Sequence, residues 1–252
     1  MIDESTAARQ VPIDDRVVVS ASDAGRLPAR DESVAAAVEA ELSALADVDG
    51  CSARLERLAA EADPVALVEA LLRRDPADVP ALHLAWFLHL SAAPAIRDAM
   101  MLQFGFGRVV GAAAHDDAIA SITRATEAGV TIDELVRREL ADGDVDDVSD
   151  LLARLLLGRT GLRPDHRRVR RALDLVRWAA VHAPLGQRAA PLCVAAWLAW
   201  ALGMGSAAGL LVEQAVAADP EHSMATLLAA FIGSGALPDW AFAEPEGDPG
   251  DR

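Results

Sequence analysis

The chain of 252 residues contains no tyrosine, no lysine and no asparagine, and only 4% of its residues are aromatic. A β-sandwich is disfavoured, because its strands depend on aromatic and β-branched side chains. Alanine, leucine and valine supply most of an apolar content of 52%, which is enough for a large core. Since alanine and leucine favour helix, the composition predicts an all-α fold.

Cysteine and positive charge are also scarce. Cys51 and Cys193 are far apart and form no CxxC motif, which predicts two ordinary buried thiols in a reducing cytoplasm. The net charge of -16 repels phosphate backbones and anionic lipid headgroups, so we expect neither a nucleic-acid nor a membrane partner. The acidic start MIDESTAARQ is not followed by an apolar run, so no signal peptide is expected.

One long apolar run is present, because no charged residue occurs from Ala189 to Val212. Its length meets the roughly 20 residues of a membrane span. The run is rich in alanine, however, and Gly203, Gly205 and Ser206 interrupt it. It therefore predicts two buried helices joined by a turn rather than a transmembrane helix.

The C-terminal half contains the residue pattern of a tetratricopeptide (TPR) repeat, in which a small, a larger and another small residue stand twelve, eight and five positions before a proline. Counting back from Pro220 gives Ala208, Val212 and Ala215, and counting back from Pro184 gives Ala172, Val176 and Ala179. Small residues let paired helices approach closely, and proline ends the second helix of a pair. The pattern predicts consecutive helices over Arg168–His182, Ala189–Leu202, Ser206–Ala218 and Glu221–Ile232.

Helical periodicity and its interruptions divide the chain into four parts. We expect a flexible lead-in over 1–30, an N-terminal helical bundle over 31–104, a TPR-like helical block over 108–236 and a disordered acidic tail over 237–252. Asp31 stands where the N-cap of the first long helix is expected. Further helices are expected near 115–128, 131–141 and 145–157, and Thr131 begins a capping box.

Two motifs resemble ligand-binding loops but fail in detail. Asp142–Asp150 begins like a calcium loop, yet Asp147 replaces the required glycine and Ala153 the required glutamate. Acidic residues that stabilise the start of a helix are the better interpretation. Gly105–Gly111 does not fit a dinucleotide fingerprint and follows a helix, so we interpret it as a linker.

Histidine and arginine offer no clear chemistry either. His83 and His89 fall on different faces of one helix, and His115 beside two aspartates fits a helix start better than a metal site. The arginine-rich stretch Arg163–Arg177 indicates a solvated helix face, with an anion site as the alternative. We therefore predict no catalytic residue, no cofactor and no metal.

The segment from Leu162 to Pro238 resembles the C-terminal part of an actinobacterial domain-of-unknown-function family, which ends in a TPR-like helix pair and a D-P-x-x-S-x-A-x-L-L segment. The matching residues are Asp219, Pro220, Ser223, Ala225, Leu227 and Leu228. With further similarity upstream, the resemblance covers roughly 25–238. It implies a helical fold and a bacterial lineage but transfers no catalytic residue. The α/β region of longer members is replaced by the short lead-in.

Trp197 and Trp200 lie three residues apart on one predicted helix, at positions that line the concave groove of TPR proteins. Exposed tryptophans there would anchor a partner peptide. The alternative is that both rings pack in the core. The sequence thus favours a non-catalytic binding or scaffolding module for a protein or peptide partner. An enzyme whose active site is dispersed over several helices is the competing hypothesis.

Overall fold

The computed structural model describes residues 21–143 and 146–242, which form helices and turns without any β-strand. The first half contains α1 (Ala21–Ala24), α2 (Glu32–Leu45), α3 (Val48–Leu58), α4 (Pro64–Leu72), α5 (Ala81–Ser91), α6 (Pro94–Phe106) and α7 (Arg108–Ala128). The second contains α8 (Ile132–Asp142), α9 (Asp147–Leu156), α10 (His166–His182), α11 (Ala189–Ala201), α12 (Gly205–Ala218) and α13 (Ser223–Gly233). The predicted all-α fold is confirmed. Residues 1–20 of the expected lead-in and 243–252 of the expected tail lie outside the described residues.

Aspartates begin several of these helices, because their carboxylates accept the free N–H groups of the first turn. Asp31 accepts the N–H of Ser33 at 2.8 Å, which confirms it as the N-cap of α2. Asp146 caps α9 in the same way, as expected for an acidic residue at a helix start. Thr131 accepts the N–H of Glu134 at 3.2 Å and caps α8.

The charge-free run folds as α11 and α12, joined by the turn Leu202–Met204. Gly203 has a φ of +74°, a conformation that glycine adopts without steric cost and that ends α11. Every residue of α11 is buried. The predicted pair of helices joined by a turn is present, but only one face of α12 is buried, and Leu210 on it is 41% exposed. No helix of the described ranges has the length and apolar character needed to cross a membrane.

All six residues of the predicted repeat pattern are buried, and Pro184 and Pro220 stand just beyond the ends of α10 and α12. The four helices predicted for this half are present, with boundaries within two residues of those expected. Consecutive helices from α10 to α13 pack on one another. The assignment to the TPR class itself stays a prediction.

The segment predicted as a linker is mostly helical, so that interpretation is wrong. α6 runs through Gly105 to Phe106, and α7 begins at Arg108, which leaves only Gly107 between them. α7 also starts seven residues before His115, so that histidine lies within a helix rather than at its start. Helices α6 and α7 approach closely because Gly111 leaves room for the side chain of Gln103.

The core is one large buried cluster that includes residues from both sides of Gly107, such as Phe87 and Phe104 before it and Leu173 and Trp200 after it. A smaller cluster joins α6, α7 and α9. α9 packs against both α6 and α7.

The start of α2 is tied to the end of α10 by polar contacts. The backbone N–H of Asp31 donates to Nε2 of the buried His182 at 2.9 Å, and Nδ1 of His182 donates to the Trp178 carbonyl at 2.8 Å. Because Nε2 accepts a hydrogen bond, the network assigns a neutral imidazole with the proton on Nδ1. Arg30 donates to the Val181 carbonyl at 2.6 Å.

Candidate functional site

Trp197 and Trp200 are core residues, with 2% and 1% of their surface exposed. Nε1 of Trp197 donates to the Leu156 carbonyl at 2.8 Å, and Nε1 of Trp200 donates to the Ala236 carbonyl at 2.7 Å. The end of α9 and the segment after α13 therefore cover both rings. Neither ring offers a surface to a partner peptide. Both rings pack in the core, which was the alternative to an exposed groove.

Two adjoining cavities lie instead beside the start of α10. The first, of about 330 Å³, is lined by Arg163, Pro164, His166, residues 201–203, Trp240 and Ala241. The second, of about 490 Å³, is lined by Phe106, Gly107, Leu162, Arg163, Asp165 and Arg168. Arg163 lines both, and we call the two together the Arg163 cleft.

An apolar wall connects the two cavities. The rings of Phe106 and Trp240 meet edge to face, with centroids 5.8 Å apart. Nε1 of Trp240 donates to the Ala201 carbonyl at 3.1 Å, which holds the ring in place. Leu162 remains 55% exposed at the edge of the second cavity. Trp240 itself is only 5% exposed, so the apolar surface that the cleft offers to a ligand comes from the half-buried Phe106 and the exposed Leu162.

Arg168 is fully engaged in the protein's own structure. Its Nε donates to the Gln103 carbonyl at 3.0 Å, and its Nη1 and Nη2 bind the carboxylate of Glu69. Burial would raise the pKa of Glu69, but hydrogen bonds from Arg168 and Gln103 outweigh it and hold that pKa below its ordinary value. This network joins α4, α6 and α10 behind the cleft.

Arg163 differs from Arg168, because its side chain forms no hydrogen bond or ion pair with any residue that the structure describes. Asp165, the acidic residue that lines the same cavity, accepts the N–H groups of Arg167 and Arg168 at 2.9 and 3.0 Å as the N-cap of α10. Arg163 is exposed, and it lines both cavities.

The expected solvated helix face is only part of the arginine-rich stretch. Arg167 and Arg171 are exposed, as expected. The side chain of Arg177 is only 14% exposed, and its Nε donates to the Arg26 carbonyl at 2.8 Å. For Arg177 the interpretation is wrong, because its guanidinium donates to the carbonyls of Asp23 in α1 and of Arg26 just after it.

A thiol–imidazole contact was not visible in the sequence. Sγ of Cys193 lies 3.8 Å from Nδ1 of His222. The charge of Arg97 in α6 acts on both groups, and the charge of Asp98 acts on Cys193. The side chain of Arg97 is buried, and its Nε donates to Asp98 at 2.9 Å. Cys193 and His222 are 29 positions apart, a separation that fits no spacing motif, and the packing of α13 on α11 brings them together.

The electrostatics of this cluster oppose nucleophilic chemistry. Burial raises the pKa of the Cys193 thiol to about 12, so the thiol is protonated at neutral pH. Burial and the charge of Arg97 lower the pKa of His222, which keeps its imidazole neutral. Nδ1 of His222 also accepts the N–H of Ala225 as the N-cap of α13. The Cys193 thiol is therefore a buried packing group, and the His222 imidazole that it contacts serves as the N-cap of α13.

The remaining histidines give no metal centre. His83 binds the carboxylate of Glu61, whereas His89 stacks on Trp86 with ring centroids 5.2 Å apart, so the two are used separately, as expected. Within the described ranges, no three histidine, cysteine or acidic side chains meet in a group that could hold a metal ion.

The chain matches no family model, no curated protein and no solved structure.

Proposed function

We propose that this chain is a non-catalytic, TPR-like binding module of the cytoplasm that recognises a segment of a protein or peptide partner. One observation carries the proposal, namely the Arg163 cleft with its apolar wall and its unpaired guanidinium. Two adjoining cavities that share one arginine suit an extended segment, which can place successive side chains in them. The proposal moves the expected binding surface from Trp197 and Trp200 to the opening lined by Phe106, Leu162 and Arg163.

The resemblance to the actinobacterial family agrees with such a role but supplies no partner. The competing proposal is an enzyme, and its strongest support is the contact between Cys193 and His222. A protonated, fully buried thiol is a poor nucleophile, however, and the capping bond occupies the imidazole nitrogen that faces it. We therefore favour the binding module.

A peptide-display selection tests the proposal. A random library is selected on the intact chain, and the enriched peptides are then measured against Leu162→Glu and Leu185→Glu. Leu185 is 72% exposed and lies outside the cleft lining, so it is a matched control for adding a charge to an exposed leucine. We expect Leu162→Glu to weaken binding about tenfold or more, because it places a charge in an apolar contact, and Leu185→Glu to leave it unchanged. No enrichment, or peptides that ignore Leu162→Glu, would contradict the proposal.

A further inference from the structure

The start of α13 is held by a histidine, which is an unusual choice for a helix cap. Nδ1 of His222 accepts the N–H of Ala225 at 3.3 Å. Among the helices of the described ranges, every other side-chain cap is an aspartate or a threonine. Those oxygens remain acceptors between pH 5 and 8, whereas imidazole changes its charge in that interval. The cap of α13 is therefore one that a proton can remove near neutral pH.

The surroundings of Nδ1 require it to be unprotonated. It faces two donors, because Sγ of the protonated Cys193 thiol lies 3.8 Å away and the Ala225 N–H points at the same nitrogen. The network therefore assigns a neutral imidazole with its proton on Nε2. A second proton, on Nδ1, would oppose both donors and break the cap. It would also place a positive charge at the positive end of the helix dipole of α13.

The charged groups near the imidazole do not compensate for these losses. Arg97 of α6 repels a positive charge there, and Asp219 attracts one. An oxygen of Asp219 already accepts the Glu221 N–H at 3.0 Å in the turn before α13, and Asp98 is bonded to Arg97. α12, which packs on α13, contributes the exposed Glu213, and α13 itself contains no charged residue.

Protonation of His222 and the capped conformation therefore oppose each other. Burial and the charge of Arg97 lower the pKa of His222 below its ordinary value of 6.5. Because the folded state has the lower pKa, the contribution of the cap to stability is complete above pH 6.5. It is lost as the pH falls through the lower value.

We propose that His222 is a pH-sensitive N-cap: when Nδ1 takes up a proton, the start of α13 loosens from α11 and the buried Cys193 thiol becomes accessible. The thiol is the group that the capping ring contacts on α11, and it is 0% exposed while the cap is in place. Acidification thus uncovers a cysteine that is otherwise inert. The device is separate from the Arg163 cleft and does not depend on the proposed function.

Hydrogen exchange measured by mass spectrometry on the intact chain tests the proposal. The protection of the amides of 223–229, corrected for the intrinsic pH dependence of exchange, is compared at pH 7.5 and 5.5. We expect it to fall about fivefold or more on acidification, while the protection of α10 stays within about twofold. An unchanged protection of 223–229 would overturn the proposal, and so would an equal loss in α10, which would indicate a general loss of stability.

Three variants assign the response to His222. His222→Asn keeps a neutral acceptor for the Ala225 N–H, so 223–229 should be protected to within about twofold at both pH values. His222→Ala should lose protection there at both. His166→Asn is the matched control, because His166 is an exposed histidine in the first turn of α10 whose ring caps nothing; it should retain the full response. A response that persists in His222→Asn or disappears in His166→Asn would overturn the assignment, as would full protection at pH 7.5 in His222→Ala.

The thiol gives a second measurement. In a Cys51→Ser background, Cys193 is labelled with 4,4′-dithiodipyridine, and its rate is divided by that of the urea-unfolded chain at the same pH, which removes the effect of pH on the thiol itself. We expect the protection of Cys193 to fall about fivefold or more between pH 7.5 and 5.5, and we expect no fall when His222→Asn is added. Constant protection of Cys193 would contradict its uncovering.

Discussion

Replacing Gly158 with alanine should destabilise the protein strongly, because this glycine combines a positive φ with a crowded environment. Gly158 follows α9 at φ +68°, where its N–H donates to the Leu155 carbonyl at 3.2 Å and the next N–H donates to the Arg154 carbonyl at 2.8 Å. This is the Schellman arrangement that favours glycine at a helix end. A Cβ at Gly158 would overlap the ring of Trp200 and lie 2.8 Å from Cβ of Pro238.

Two penalties add in this substitution. The left-handed conformation costs about 1–2 kcal/mol for a residue with a Cβ, and overpacking against a fixed ring costs about 1–3 kcal/mol. The indole of Trp200 cannot easily move away, because it is 1% exposed, donates to Ala236 and packs against Phe231 and Trp240. We expect a loss of about 2–5 kcal/mol in the free energy of unfolding, from a total of about 5–15 kcal/mol.

Urea unfolding followed by far-UV circular dichroism measures this loss, and two other glycines separate its parts. Gly129 has φ +64° but open space around it, so Gly129→Ala should show only the backbone penalty. Gly186 has open space and no positive φ, and Gly186→Ala should change stability by no more than about 0.5 kcal/mol. In a Trp200→Phe background the smaller ring should reduce the cost of Gly158→Ala. If Gly158→Ala cost no more than Gly129→Ala, the described packing of Trp200 would be refuted.

Three further predictions follow from buried groups. Trp200→Ala should lower the free energy of unfolding by about 3–5 kcal/mol in the same urea assay, and a loss below about 1 kcal/mol would contradict its core position. With a thiol reagent at neutral pH, one thiol per native chain, that of the half-buried Cys51, should react rapidly. Cys193 should react only after unfolding, so rapid labelling of a native Cys51→Ser variant would refute this prediction. Because Glu69 has a lowered pKa in the folded state, its contribution to stability is complete above its ordinary pKa of 4.5 and disappears as the pH falls through the lower value. Glu69→Gln should therefore flatten the acid limb of the stability curve measured by urea unfolding from pH 6 to 3, whereas the exposed Glu56→Gln should leave it unchanged.

Local sequence signals were sufficient to predict where several of the helices begin and end. The spacing of small residues before Pro184 and Pro220 predicted where α10 and α12 end, since proline cannot continue a helix. Gly203 marked the turn between α11 and α12 because its conformation is required there. The start of α2 was predictable from Asp31, whose carboxylate satisfies backbone donors within its own turn. These signals act over a few residues, so the sequence displays them directly.

The candidate site was not predictable in the same way, because its lining comes from four separate parts of the chain: 106–107, 162–168, 201–203 and 240–241. Sequence patterns place Trp197 and Trp200 on one helix face but do not show that carbonyls of Leu156 and Ala236 close over them. The contact between Cys193 and His222 likewise depends on how α13 packs against α11. Helical periodicity describes one helix at a time, whereas each of these features depends on which helices meet.

The polar junction between Asp31 and His182 has a consequence for the order in which the chain is completed during synthesis. The two residues are separated by 151 positions. At roughly 5–20 residues per second, the ribosome finishes α10 about 8–30 s after it finishes the start of α2. During that interval α2 can pack on α5, which is made soon after it. The N–H of Asp31 and the guanidinium of Arg30 remain hydrated until their acceptors at the end of α10 have been translated. The start of α2 therefore gains its polar contacts only after the end of α10, 151 positions later, has been translated.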